Sequence, residues 1–185
     1  MGLIKRFFSS KKPSSSNEGG CDQGQSGSAE QLIEQGNVLE DAGDFVGAMR
    51  LYDQAIQKSP SLARAHLNRG NALQALGRLE EALTAYQTAI EYKPEYAGAH
   101  CNRGNASMRL GRQSEAIAAY ERALELDPSN FDAVIGKACA FEANGRVEGA
   151  VACYQQGLVI HDDNETAHLG AIRTSRSLGK PGLAS

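Results

Sequence analysis

The chain has 185 residues, a formal net charge of −3, and 41% hydrophobic against 22% charged residues. These fractions are typical of a soluble globular protein and exclude a largely disordered chain, while the length allows one ordinary domain or one array of small repeats. No stretch approaches the roughly 18 apolar residues of a membrane span, and the acidic balance argues against a nucleic-acid binder held by bulk charge.

Residues 1–28 differ in composition from everything that follows. They contain seven serines and five glycines, and a segment this poor in apolar residues cannot offset the entropy lost on ordering it. Four cations lie near its start: Lys5, Arg6, Lys11 and Lys12. We therefore predict a flexible, basic arm rich in serine and glycine.

The start of this arm also has an apolar component. Four apolar residues lie among the cations: Leu3, Ile4, Phe7 and Phe8. Residues 1–12 are therefore a candidate for weak contact with an anionic membrane. Whether the N-terminus is lipidated stays open, because Arg6 stands where a myristoylation motif needs Ser or Thr.

The four cysteines form no C-x-x-C pair, and no histidine stands at a zinc-finger spacing from them. The N-terminus also lacks the apolar run of a secretory signal. We expect a cytoplasmic protein with reduced thiols, with peripheral membrane association as the alternative, and with neither a metal site nor a cofactor.

From residue 29 the sequence repeats every 34 residues. Six columns keep this step, among them one of glycine, one of tyrosine and one of proline: Gly43, Gly77, Gly111, Gly145 and Gly179; Tyr52, Tyr86, Tyr120 and Tyr154; Pro60, Pro94 and Pro128. Repeats of this length are typical of helical solenoids. The chain therefore divides into four units, 29–62, 63–96, 97–130 and 131–164, followed by a capping helix and tail in residues 165–185.

Each unit predicts two helices. Glycine suits the residue just past a helix end because it adopts the left-handed conformation without strain, so the column that begins with Gly43 separates a first helix from a second. The proline column then ends the second helix. Gly36, Gly70 and Gly104 lie inside the first helix, where each glycine destabilises the helix by about 1 kcal/mol relative to alanine. Because this cost recurs with the repeat, it indicates that the first helix packs closely against the second helix of its unit. A fifth first helix is expected around 165–178, as a cap on the stack.

These columns resemble the tetratricopeptide repeat, whose pattern is Trp-x2-Leu-Gly-x2-Tyr, then Ala-x3-Phe, then Ala and Pro. The Gly, both Ala, the aromatic and the Pro positions match, whereas the Trp position holds Leu32, His66, His100 and Val134. The resemblance implies an all-α fold: a right-handed α-α superhelical solenoid of four helix pairs plus a C-terminal capping helix. It also implies that the first helices line a concave groove, with positions 2, 5, 6, 9, 12 and 13 of each unit facing it.

Amides and cations stand at several of these groove positions and are the candidate peptide-binding residues: Asn37, Arg64, Asn68, Asn71, Asn102, Asn105 and Arg109. Asparagine is a poor residue inside a helix, because its side chain competes for the backbone. A primary amide both donates and accepts, so it can bind the backbone of an extended peptide whatever the peptide's side chains.

The asparagines have a second interpretation, in which they bond to one another between neighbouring helices and stabilise the stack; the two roles can coexist. The step from Asn68 to Asn102 also resembles the asparagine ladder in the repeats of O-linked N-acetylglucosamine transferase. It has only two rungs here, because Glu34 and Gly136 occupy the equivalent position in the outer units.

The first unit gives the groove an acidic end through Glu30, Glu34, Glu40 and Asp41. This end is either a solvated face or a surface for basic segments, and the chain's own arm is one such segment at high effective concentration.

The sequence contains no P-loop, no G-x-S-x-G and no H-E-x-x-H motif. We therefore predict a protein that is not an enzyme and binds no nucleic acid: an adaptor that holds an extended segment of a protein partner in its groove. Two alternatives stay open. One is a substrate-presenting or regulatory module of a glycosyltransferase- or methyltransferase-type enzyme, and the other is a self-associating assembly protein. The partner and the oligomeric state are not predicted.

Overall fold

Residues 27–179 are described by the structure, a computed structural model. Nine α-helices account for the regular structure of this range: α1 (Ala29–Asp41), α2 (Phe45–Lys58), α3 (Ala63–Ala75), α4 (Leu79–Tyr92), α5 (Ala97–Arg109), α6 (Gln113–Leu126), α7 (Phe131–Ala143), α8 (Val147–Ile160) and α9 (Glu165–Ser177). None of these helices is long and apolar enough to cross a membrane. Nearly all of the predicted arm, with its membrane-contact residues 1–12, lies outside the described range.

Helix boundaries follow local signals in the sequence. Ser28 begins α1 with a capping box: its Oγ accepts the Gln31 N–H at 3.2 Å, and its own N–H donates to Gln31 Oε1 at 2.8 Å. The glycine column that begins with Gly43 ends each first helix with a positive φ, which is 81° at Gly43 itself. The second helices of the first three units end two residues before a proline.

Each helix packs against the next one along the chain, and first helices also contact one another, α1 with α3, α3 with α5 and α5 with α7. This arrangement confirms the predicted all-α solenoid of helix pairs. The predicted last helix is confirmed as α9, which packs on α8. Asn164 begins it, because its Oδ1 accepts the Ala167 N–H at 3.0 Å.

The tyrosine column fills the space that the buried glycines leave. All four tyrosines are at most 1% exposed, and a Cβ added to Gly104 would lie 2.6 Å from the Tyr120 ring. The mid-helix glycines are therefore explained by close packing, as the sequence indicated. In the fourth unit Ala138 replaces the glycine, and the ring of Tyr154 lies instead against Gly170 of α9.

Histidines at the position of the family tryptophan do more than fill space. His66 and His100 contact the backbone carbonyls of Pro60 and Pro94 through Nε2, at 2.8 and 3.0 Å. Because a carbonyl only accepts, Nε2 carries the proton in both. These bonds link a first helix to the loop that precedes it, a role that the sequence did not reveal.

Candidate functional site

The first helices present a polar concave face, which we call the groove. A cavity of about 400 Å³ lies at its N-terminal end, lined by six polar residues: Asn37, Glu40, Asp41, Arg64, Asn68 and Asn71. Four of these are among the predicted site residues, so the solenoid brings together side chains that are more than thirty positions apart in the chain.

A hydrogen-bonded network joins the asparagines of neighbouring units. The Oδ1 of Asn37 accepts from Asn68 Nδ2 at 2.8 Å and lies 3.0 Å from Tyr52 Oη. One unit further along, Asn71 Oδ1 accepts from Tyr86 Oη at 3.0 Å and from Asn102 Nδ2 at 2.8 Å. Asn37 with Asn68, and Asn71 with Asn102, therefore bond between neighbouring first helices, as the second interpretation of the asparagines expected.

The network ends after the third unit. Asn105 Oδ1 accepts from Tyr120 Oη at 2.7 Å, but Gly136 stands where Asn68 and Asn102 stand in earlier units, so no further amide continues the series. The ring of Tyr120 lies against Gly136, in space that a side chain would otherwise fill.

Each asparagine keeps hydrogen-bonding capacity that the network does not use. Within residues 27–179, the Nδ2 groups of Asn71 and Asn105 and the Oδ1 atoms of Asn68 and Asn102 have no protein partner. All four residues are half-buried, and none of these atoms is among the fully buried, unpaired polar atoms of the described range. They therefore reach solvent in the groove.

The tyrosine hydroxyls hold these amides in one orientation. Burial, followed by the nearby Glu40 carboxylate, raises the pKa of Tyr52, and burial likewise raises the pKa of Tyr86. Both hydroxyls therefore keep their protons. Tyr86 donates to Oδ1 of Asn71, which points the Nδ2 group of Asn71 away from the tyrosine, whereas Tyr52 directs its single proton to the nearer carboxylate of Glu40. From the sequence, the tyrosine column was used only as a marker of the repeat and as the aromatic position of the family pattern, yet its spacing of 15 residues from Asn37, Asn71 and Asn105 was visible.

The two predicted cations of the groove are both tied to neighbouring helices. Arg64 Nη2 lies 2.7 Å from Glu34 Oε1. Arg109 Nη1 donates to the backbone carbonyl of Gln74 at 2.8 Å, near the C-terminal end of α3. Both arginines are exposed at the edge of the groove, and a direct contact of either with a peptide stays a prediction.

Position 5 of the unit does not face the groove in the first three first helices, which corrects the expectation from the sequence. Ile33, Leu67 and Cys101 are 0%, 8% and 4% exposed and belong to the hydrophobic core between helices. Burial raises the pKa of the Cys101 thiol to about 12, so this thiol stays protonated near neutral pH.

A carboxylate and a tyrosine meet at both ends of the groove. Tyr52 Oη donates to Glu40 Oε2 at 2.7 Å, and Tyr154 Oη donates to Glu142 Oε2 at 2.6 Å. At the second of these sites Arg173 of α9 adds a bidentate ion pair with Glu142, at 2.9 and 2.6 Å. Arg173 was not among the groove residues predicted from the sequence.

Stacked helix pairs with a polar concave face define a helical-repeat protein of the protein-interaction class. The chain belongs to the tetratricopeptide repeat family, because the family model matches residues 33–100, 67–131 and 101–165, which together cover most of the chain. No curated protein sequence matches the chain.

Several solved structures are similar to the fold. A crystal structure of MamA has a TM-score of 0.73 at 22% identity and covers 78% of this chain and 84% of that one. YrrB, described as a TPR protein with an unusual peptide-binding site, has a TM-score of 0.70 at 20% identity, with 82% and 78% covered. TTC0263 from Thermus thermophilus has a TM-score of 0.68 at 18% identity, with 83% and 84% covered. At these identities the similarity shows the fold alone.

Proposed function

We propose that this protein is a non-catalytic adaptor that binds an extended segment of a protein partner in its concave groove. The observation that carries the proposal is the series of oriented amides whose second hydrogen-bonding groups reach solvent: Asn68, Asn71, Asn102 and Asn105. The family is one of protein-interaction modules, and a structural neighbour is described as having a peptide-binding site. The proposal assigns no cofactor and no nucleic acid, and it places the protein in the cytoplasm.

The spacing of the amides suits an extended chain. Packed helices lie about 8–10 Å apart, and an extended peptide rises about 3.3 Å per residue, so neighbouring units meet the peptide about every third residue. Asn68 and Asn102 offer acceptors, while Asn71 and Asn105 offer donors. One donor and one acceptor per unit can pair with a backbone carbonyl and a backbone N–H whatever the peptide's sequence.

The tyrosine bonds make this recognition less costly in entropy. An amide held by Tyr86 and by the next asparagine has already lost its rotamer freedom in the free protein, so little more is lost when a peptide binds. The hydrogen-bonded network of the asparagines thus orients the same amide groups that we propose contact the peptide.

The test is affinity capture with wild type beside the double variant Asn68→Ala/Asn102→Ala. The matched control is Gln57→Ala/Gln155→Ala, which removes two exposed amides of second helices that form no hydrogen bonds within residues 27–179. We expect partners to be lost only in the asparagine variant, with its far-UV circular dichroism unchanged. Retention of the same partners by the folded asparagine variant would contradict the proposal.

Self-association is a second candidate, and one observation favours it. The N-terminal end of the stack exposes an apolar face, where Val38 is 67% exposed beside a cavity of about 510 Å³ that Leu39 and Leu51 also line. A monomeric mass in light scattering over a hundredfold range of concentration would exclude this candidate. A module of a glycosyltransferase- or methyltransferase-type enzyme stays an alternative that a catalytic domain in the same transcript or operon would favour.

A further inference from the structure

Position 12 of the first helix carries a carboxylate in α1 and again in α7, as Glu40 and Glu142. In both units the tyrosine of the second helix donates to this carboxylate, at 2.7 Å from Tyr52 and 2.6 Å from Tyr154. The two sites are the same structural element at opposite ends of the groove, so one shows what the other can bind.

The site in α7 is filled by a guanidinium from the chain itself. Arg173 donates from Nε and Nη2 to the two oxygens of Glu142, at 2.9 and 2.6 Å. This bond lowers the pKa of the Glu142 carboxyl. A bidentate pair of this kind is one that arginine forms and lysine does not.

The site in α1 has the carboxylate and the tyrosine, but no guanidinium of residues 27–179 bonds to it. The residue of α3 at the place of Arg173 is Asn71, whose Oδ1 is already bonded to Tyr86 and Asn102. Among residues 27–179 no ion pair includes Glu40, and the one hydrogen bond of its side chain is with Tyr52.

The surroundings of Glu40 favour a cation from outside. Glu40 and Asp41 line the polar cavity at the N-terminal end of the groove, and both add negative charge there. Arg64, the one cation that the described residues contribute to the cavity lining, is bonded to Glu34 on α1. An incoming guanidinium would find a carboxylate that is fixed by a tyrosine and pairs with no cation of the described part of the chain.

We propose that the Glu40 pocket binds the guanidinium of an arginine in the segment that occupies the groove. The inference rests on the proposed function and adds a side-chain preference to it: the amides hold the backbone, and Glu40 selects for arginine at one place along it. Arg173 against Glu142 supplies the geometry of the contact within the same molecule.

The experiment uses the full chain and two acetylated, amidated glycine–serine peptides of thirteen residues, with either arginine or citrulline at the centre. Citrulline keeps the shape of arginine but is neutral. Titrations followed by NMR at low salt give the two dissociation constants. We expect the arginine peptide to bind about tenfold more tightly, as is typical of hydrogen bonds to charged groups. A lysine peptide should fall between the two.

Three variants locate the effect. Glu40→Gln keeps an acceptor for Tyr52 and should remove the difference between the two peptides. Glu95→Gln removes an exposed loop carboxylate with the same change in net charge and should preserve the difference. Asn71→Arg places an internal guanidinium where Arg173 stands in the last unit, and it should also remove the preference for arginine.

Equal binding of the two peptides by wild type, with both weakened in Asn68→Ala/Asn102→Ala, would overturn the arginine pocket and leave the proposed groove in place. If neither peptide binds wild type, both the groove and the pocket are overturned. Arg6→Gln tests whether the chain's own arm supplies the guanidinium: tighter binding of the arginine peptide by this variant would overturn the assignment to a partner.

Discussion

Gly98 and Gly104 lie in the same helix, α5, yet replacing each by alanine should change stability in opposite directions. A Cβ on Gly98 would have its nearest neighbour 3.8 Å away, at Tyr96, whereas one on Gly104 would lie 2.6 Å from the ring of Tyr120. The first methyl group has room, and the second overlaps a buried aromatic side chain.

The magnitudes follow from this difference. Alanine is favoured over glycine inside a helix by about 1 kcal/mol, so Gly98→Ala should stabilise the protein by roughly that amount. Gly104→Ala gains the same helix propensity of about 1 kcal/mol, but the added methyl group overpacks the core, which costs about 1–3 kcal/mol. It also strains the hydrogen bond from Tyr120 to Asn105, which contributes about 1 kcal/mol. The net change is a loss of about 2 kcal/mol, so the two variants should differ by about 3 kcal/mol.

The ring of Tyr120 cannot avoid the new methyl group. Gly136 lies on its other side, where an added Cβ would be only 2.5 Å from the ring, so the ring is already held between two helices. Urea unfolding followed by circular dichroism at 222 nm compares the two variants with wild type. Equal stabilisation by both substitutions would refute the close packing of glycine against tyrosine.

Two further predictions concern pH. The bond with Arg173 lowers the pKa of Glu142 in the folded protein. The stability that this ion pair contributes is therefore present above the unfolded pKa of about 4.3 and is lost as the pH falls through the lower folded pKa. The urea midpoint should fall less steeply between pH 5 and pH 2 in Glu142→Gln than in wild type. Burial lowers the pKa of His100, whose Nδ1 is buried without a partner in the described range. Stability should therefore fall as the pH drops below about 6.5, and His100→Val should make that part of the profile flatter, whereas an unchanged profile in that variant would contradict the assignment.

Much of the fold was predictable because residues that pack together inside one unit recur at the same positions in successive units. Gly104 and Tyr120 recur with the same step as Gly70 and Tyr86, and a costly glycine inside a helix requires a large neighbour that uses the space. The division of the chain into helix pairs needs only this local information, together with the glycine that ends each first helix.

The groove was less predictable, because its contacts join residues of different units. Position 5 was expected there and is buried, as Leu67 shows at 8% exposure. Whether Asn68 meets Asn37, and whether Arg173 reaches Glu142, depends on how far one unit is rotated against the next. That rotation comes from packing along the whole stack and is not visible in any one unit.

The central claim, that oriented amides of the groove bind an extended segment, is tested most directly by the side-chain amide signals of asparagine in a 15N-labelled sample. On titration with the arginine peptide, we expect the signals of Asn68, Asn71, Asn102 and Asn105 to shift together. Asn130 and Asn164, which cap helices through Oδ1, serve as internal controls and should not move. Unchanged groove signals at saturating peptide, or shifts of Asn130 and Asn164 as large as those of the groove asparagines, would contradict the claim.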